Sequence, residues 1–516
     1  MSGPRTTVTP SPPAPAPAPE PAPPSPPAPV PVGGAPARSG GRLATFVRGR
    51  WLKTVPGRIR LYAAAALAAT ALLLLALTMT IGMARDGVQT IGHDAGPQVV
   101  ATGELFFALS DMDAQVADVL LIGRESDLGI GKDESLRLYD QRRREAGQAL
   151  VDASQLAGQD ADRQRTVRET MEALGRYERM VGRALVLSEQ AAYAPGEPPS
   201  GVVAAYRQAT DLMRMELLPR AYNLTLDSGA TVRQGYEDRR QAVLSGRVWV
   251  LLAGALLAGV LLAAQISLAR GFRRTVNPAL ALATLVTLLL AGAGVAVLTA
   301  QAGHIRTAKE DGFDSMLTLS RARAISHSAF ADESRYLLDP QRADTYEQTY
   351  LDKALSVLYI DPGDRPLNLE TYYRLVGQKL SSYEPGGDQV DFLGFFGDEA
   401  RKAGTPQEGR PLGRTLRAYG QVLNNDRLMR ERAGRGDRAG AIRLRMGRGP
   451  DGSINLFEEY DRALVAQTGA HRAEFDRSIA SADDGLRGWT ALPPAAALVI
   501  AVLVLAGVRP RLAEFR

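Results

Sequence analysis

Four side chains able to hold an anion fall on one helical stretch: Arg321, Arg323, His327 and Arg335. Guanidinium groups offer paired N–H donors that match a carboxylate, and an imidazole adds a donor whose charge depends on pH. Positions four apart share a helix face, so Arg323 and His327 point the same way. The chemistry this spacing supports is carboxylate binding. The plainer reading is a solvated helix face, since Arg on a long helix is normally exposed and no aromatic cage is evident.

A second group is apolar. In the run Asp391–Phe396, Phe392, Leu393, Phe395 and Phe396 interrupt a polar insert that contains Gly and Pro. Exposed aromatic clusters mark contacts with a partner or with lipid; otherwise these side chains pack on their own domain.

Other chemistries find no support. Cysteine is absent, which excludes disulfides, thiolate metal sites and a cysteine nucleophile. His93, His304, His327 and His471 are scattered without metal-ligand spacing, so neither a metal nor another cofactor is expected. With no Ser-His-Asp order, phosphate loop, nucleotide fingerprint or paired-carboxylate motif, the chain reads as a protein other than an enzyme.

These groups must be positioned by helices tied to a membrane. Four charge-free stretches, residues 61–83, 248–269, 279–300 and 491–508, are each long enough or nearly so to cross a hydrocarbon core of roughly 30 Å. Basic residues crowd their flanks: Arg58 and Arg60 before the first, Arg270, Arg273 and Arg274 between the second and third, Arg509 and Arg511 after the fourth. The positive-inside tendency places these anchors in the cytoplasm, with both termini, and leaves two large segments outside the plasma membrane. A pI near 9.3 therefore reflects membrane flanks rather than a nucleic-acid surface, and nucleic acid is not an expected partner. No Asp, Glu, Lys, Arg or His lies within a span, which argues against an ion or proton pathway.

The expected order is a Pro-rich cytoplasmic tail with a basic flank (1–60), a first span, an external domain (84–247), a second span, an Arg-rich loop (270–278), a third span, a second external domain (301–490), a fourth span and a short tail (509–516). The run of Pro and Ala in the tail favours an extended segment, either a spacer or a docking arm. The halves repeat one topology. Leu105, Leu109, Met112, Val116 and Val119 recur at helical spacing, as do Leu412, Leu416, Tyr419 and Leu423. Loop signals divide each external segment into four helices, and Pro219 is expected to kink the last helix of the first. The fold class is all-α: four transmembrane helices carrying two tandem extracytoplasmic four-helix bundles.

The run Tyr419–Gly447, YGQVLNNDRLMRERAGRGDRAGAIRLRMG, resembles the four-helix-bundle sensor domains of bacterial chemoreceptors and sensor kinases. The whole layout, with a cytosolic tail, two anchored bundles and no output domain, resembles the actinobacterial GlnX-type membrane proteins. A composition rich in Arg, Ala, Gly and Pro agrees with a high-GC genome of that kind. The resemblance implies a relay between an extracytoplasmic amino-acid-binding lipoprotein, GlnH-like, and a cytosolic Ser/Thr protein kinase, PknG-like, reporting aspartate and glutamate. A scaffold that holds envelope complexes together without signalling is the alternative.

Overall fold

The computed structural model describes residues 55–124, 128–272, 277–385 and 390–513. The Pro-rich tail up to residue 54, Arg273 and Arg274 lie outside the described residues. By compactness Met1–Arg58 forms one unit and Ile59–Arg516 another. The chain is all-α, with no strand among the described residues beyond an isolated bridge between Tyr359 and Leu393.

In the first half, α1 (Val55–Val88) passes through a π-helical turn at Gln89–Ala95 into α2 (Gly96–Ile122). Helices α3 (Lys132–Leu156), α4 (Ala161–Ala191) and α5 (Ser200–Leu212) follow, and a π turn at Met213–Leu217 leads into α6 (Leu218–Phe272). The second half opens in the same way: α7 (Pro278–Thr307), a π turn at Ala308–Phe313, then α8 (Asp314–Leu338). It continues with α9 (Ala343–Val357), α10 (Leu369–Ser381), α11 (Gly394–Lys402), α12 (Pro406–Gly434), α13 (Arg438–Arg445) and α14 (Ser453–Leu486), and closes with α15 (Leu492–Ala513).

Local sequence explains many of these boundaries. Asp160 accepts hydrogen bonds from the Asp162 and Arg163 backbone N–H groups and so caps α4, while Asn277 caps α7 with Pro278 in its first turn. Asn368, Thr405 and Asp437 cap α10, α12 and α13 in the same manner. Pro219 does not break its helix. The π turn at Met213–Leu217 immediately precedes it and absorbs the register change, so the helical path runs from Ser200 to Phe272.

Among the described residues, four helices are long and apolar enough to cross a membrane: they lie within α1, α6, the α7–α8 rod and α15. Large apolar side chains project outward from them, among them Leu72, Leu75, Leu252, Leu256, Leu288, Leu289, Leu498 and Val502. Such outward faces suit lipid and would be costly in water. Inward, Leu73, Leu77, Leu257, Leu261, Leu298 and Val504 form one cluster. Small residues set the closeness: a Cβ added at Gly254 would lie 2.8 Å from Ala291 Cβ, and one at Gly294 2.6 Å from Leu77. The basic anchors Arg60, Arg270 and Arg509 are exposed at the helix ends where Ile59, Leu268, Leu280 and Val508 come together, and Arg58, the residue before Ile59 in sequence, is exposed. Arg511 lies in α15. Trp249 is 66% exposed at the start of the second apolar stretch, and Trp489 packs against the span cluster.

Beyond the spans, the first half supplies the expected four rods, whereas the second is built, among the described residues, from seven helices, α8 to α14. The additional helices arise in the segment that follows α9. Nor does each half close a core of its own. The first-half core around Leu109, Met112, Tyr177 and Tyr206 is completed by Leu337, Leu338, Met429, Ala441, Ile442 and Met446 of the second. A separate cluster around Tyr350, Tyr372, Phe396, Leu416 and Tyr460 belongs to the second half alone.

Candidate functional site at the seam between the halves

Helices α2 and α8 are the corresponding first helices of the two halves, and they pack side by side. Asp111 meets His327 and Asp118 meets Ser334, each pair separated by 216 residues. Phe107 beneath Arg323 shows the same separation. A constant offset means that the helices run parallel in fixed register, and the topological repeat becomes a geometric one.

Acids of α2 meet cations of the second half, and Asp332, Asp339 and Asp461 add further acids from the second half itself. Asp113 accepts from Arg335 Nη2 at 2.6 Å, Thr210 Oγ1 at 2.6 Å and Tyr177 Oη at 3.0 Å. Arg335 also donates from Nε to Tyr206 Oη at 3.1 Å and from Nη1 to Asp332. Lys353 Nζ donates to Asp332 at 2.5 Å, and burial outweighs that partner and pushes the ammonium down to about 8. Asp118 accepts from Ser334 and, at 3.2 Å, from Arg445 Nη2, whose guanidinium lies 3.7 Å from the Phe330 ring centre. Towards the end remote from the spans, Arg207 clasps Asp339 at 2.6 Å and 2.5 Å, and Arg342 reaches Asp211 at 3.0 Å.

His327 sits at the spanward end of this ladder. Its Nδ1 lies 3.2 Å from Asp111 Oδ1 and its Nε2 3.0 Å from Asp461 Oδ1. Phe107 and Phe457 flank the ring edge-on, each with its centre 4.7 Å away. Arg323 donates to both Asp461 oxygens, at 2.6 Å and 2.8 Å, with its guanidinium 3.9 Å from the Phe107 ring centre. Arg142 Nε donates to Asp111 at 2.6 Å. Burial alone would raise both carboxyls, but His327 with Arg142 holds Asp111 well below the usual carboxylate range, and His327 with Arg323 does the same for Asp461. Burial lowers the imidazole, and the facing carboxylates Asp461 and Asp111 overcome it, so His327 is raised above its ordinary value.

Just spanward of His327, a cavity of about 220 Å³ opens between α2, α8 and α14. Glu104 and Phe107 line it from α2, Ser320 and Arg323 from α8, and Gly469 and Arg472 from α14. Glu104 is raised from its ordinary value, chiefly by burial.

The structure therefore separates the four residues first singled out. Arg323 lines the cavity and His327 lies behind it. Arg335, 2% exposed, is consumed by Asp113 and Asp332 and no ligand reaches it. Arg321 faces the other side of α8, 5.6 Å from the Tyr222 ring centre, with a buried Nε that lacks a hydrogen-bond partner. Phe107, 220 positions earlier, and Phe457, 130 positions later, flank the His327 ring, and of the two Phe107 alone lines the cavity. Glu104 and Arg472 escaped notice because nothing local marks them. The 216-residue register sets Glu104 opposite Ser320, whereas no comparable signal marks Arg472 on α14.

The apolar run divides as well. Phe396 is fully buried against Tyr419 and Tyr460, and Phe392 is buried against Tyr383. Phe395 packs partly on the same cluster, and Leu393 remains 52% exposed. Leu393 pairs through its backbone with Tyr359 at 2.8 Å and 3.0 Å, which pins the start of α11 to the end of α9.

Helical rods that rise from four apolar, membrane-length helices thus meet along a charged seam. Residues 87–237, from the end of α1 into α6, match the family described as the actinobacterial sensor domain. That match supports a sensing role for the protein. No curated protein and no solved structure matches the chain.

Proposed function

We propose that the protein is a transmembrane relay that couples an extracytoplasmic lipoprotein binding aspartate or glutamate, GlnH-like, to a cytosolic Ser/Thr protein kinase, PknG-like. The observation that carries this reading is helical continuity. Val55–Ile122, Ser200–Phe272 and Pro278–Leu338 each run unbroken from an apolar span into the helical body. A shift of α2 against α8 is thereby a shift of two spans, and rigid elements of this kind transmit motion as small translations or rotations. The fourth span is attached differently, through the turn at Arg487–Ala491 that follows α14, where Gly488 has φ +83°. It is the member free to hold still while the others move. The sensor-domain match over residues 87–237 supports a sensing role for the helices between the first two spans.

In this reading the loops remote from the spans face the lipoprotein and the basic flanks with the Pro-rich tail face the kinase. The test is photo-crosslinking in cells, with one probe at Arg435 in the turn between α12 and α13 and another in the tail. The expected result is a secreted solute-binding protein captured at Arg435 and a Ser/Thr kinase at the tail, with the second yield changing when aspartate or glutamate is supplied. Capture of neither, or capture indifferent to amino acids, overturns the relay.

A further inference from the structure

The cavity between α2, α8 and α14 has walls of opposite charge. Glu104 stands on one side and Arg472 on the other, both exposed at the open mouth of the cleft, and among the described residues neither has an ion-pair partner within contact distance. Arg323 adds a second guanidinium at the inner end, already clasped by Asp461 and stacked on Phe107. The Ser320 hydroxyl and the Phe107 ring complete the lining, with Gly103 and Gly469 leaving wall positions bare. A molecule that carries both signs complements two unlike charges that face a common space without touching. At about 220 Å³ the space is below the roughly 300–1,000 Å³ of pockets for drug-sized ligands, and so is of metabolite size.

We propose that this cleft binds a free α-amino acid directly, with the ammonium on Glu104, the carboxylate on Arg472 and the inner end of the molecule against Phe107 and Arg323. This deepens the relay reading and rests on it for its signalling consequence: the ligand would add a second input, on this chain itself. The placement supplies the coupling. Glu104 belongs to the first half and Arg472 to the second, so a bound zwitterion ties α2 to α14 across the seam, about two turns from Asp111 on α2 and three from Asp461 on α14. A succinate-like dianion would set a second carboxylate against Glu104, and a simple amine would leave Arg472 unmet, so both are disfavoured.

Gly469 provides a test that spares the fold. A Cβ there meets nothing within 4 Å, and replacing a helical glycine is neutral to favourable for the helix, yet a larger side chain at this lining position occupies the cleft. The full chain in lipid nanodiscs, without partners, is titrated with glycine, alanine, aspartate, glutamate and glutamine, with succinate and ethanolamine alongside, and followed by equilibrium dialysis and thermal unfolding. At least one amino acid is expected to bind and raise Tm, and succinate and ethanolamine are expected to do neither. Gly469→Leu, Glu104→Gln and Arg472→Gln should each weaken that binding at least tenfold, with Gly469→Leu keeping the Tm of the unliganded protein. Absence of binding by every amino acid tested, equal binding of succinate, or undiminished binding in both Gly469→Leu and Arg472→Gln overturns the proposal. Because no partner is present, such a failure leaves the relay reading standing, and that reading falls only by the crosslinking experiment.

Discussion

At the scale of single residues, the seam concentrates charge where proteins ordinarily avoid it. Arg335 and Arg445 are among the largest fully buried side chains of the described chain. Buried ion pairs contribute little net stability, because desolvation offsets their attraction, but breaking one strands a charge. Their effect here is on register: acids on α2 meet cations of the second half at fixed positions, and a slipped pairing would leave several charges unmatched. His327 makes part of this arrangement titratable. It faces Asp111, Asp461, Arg142 and Arg323, and its pKa is raised. A raised pKa gives stabilisation that is complete below the unfolded value of about 6.5 and is lost as pH rises through the folded value. The depressed carboxyls Asp111 and Asp461 act in the opposite sense: their contribution is present above about 3.9 and is lost as pH falls towards their folded values. Lys353, pushed down to about 8, gains stability with pH above that point, and Asp118 and Glu333, raised by burial, lose it in the same direction as His327. A variant therefore isolates the imidazole's share, and pH 6.5 to 8 is the range to scan. Across it the Tm of the full chain should fall, and His327→Gln should flatten that slope while lowering Tm at pH 6.5. A tenfold difference in proton affinity between the folded and unfolded chain is worth about 1.4 kcal/mol, which scanning calorimetry at several pH values resolves. An unchanged slope in the variant would remove His327 from this role.

At the scale of elements, the π turns at Gln89–Ala95 and Ala308–Phe313 occupy equivalent places in the two halves, just beyond the first and third apolar stretches. Both press on α14 through a glycine. A Cβ at Gly92 would lie 2.7 Å from Ile479, and one at Gly312 would lie 2.8 Å, 2.9 Å and 3.0 Å from the Phe475 Cβ, Cα and N. At Gly312 the obstruction is backbone, so no rotamer change relieves it. Gly312→Ala should cost about 1–3 kcal/mol, the usual range for overpacking. Gly303→Ala, where a Cβ meets nothing within 4 Å, should be neutral or slightly stabilising, and thermal unfolding of the two variants together checks this. Equal Tm values would show that α14 does not press on this turn. The spans and the main helices were legible in the sequence because a charge-free stretch and an apolar stripe at helical spacing are local signals. The π turns were not, since they are set by packing against α14 and by Pro219. Nor was the segment after α9, where α10 and α11 are short and the aromatic run that looked free to make contacts is mostly consumed by Tyr383, Tyr419 and Tyr460. The ladder of charges escaped for a simpler reason: its pairs across the seam stand 131 to 327 residues apart, so Arg335 reads as one more surface arginine until the halves are brought together.

At the scale of the whole molecule, the unequal cores make the halves unequal in independence. The second half has an apolar cluster of its own, whereas the first leaves a face that Leu337, Leu338, Ile442 and Met446 must cover. If the chain is divided between α6 and α7, the part ending at Phe272 should be proteolysed or aggregate when produced alone and should be recovered intact when both parts are made together. Co-purification and protease resistance provide the measurement; a stable, monomeric first part would contradict the shared core. The twin helices also differ in what lies beside them. On one side of the α2–α8 pair is the open cleft against α14, while on the other Tyr222 of α6 sits against Phe106 and Arg321. Two identical chains meeting about a two-fold axis would have to present the same surroundings twice, and any change made by mutation would appear at both. Joined in one polypeptide, the two sides are free to diverge, so that one becomes receptive while its counterpart stays plugged. Such a receptor would give a single-step, non-cooperative response to its effector.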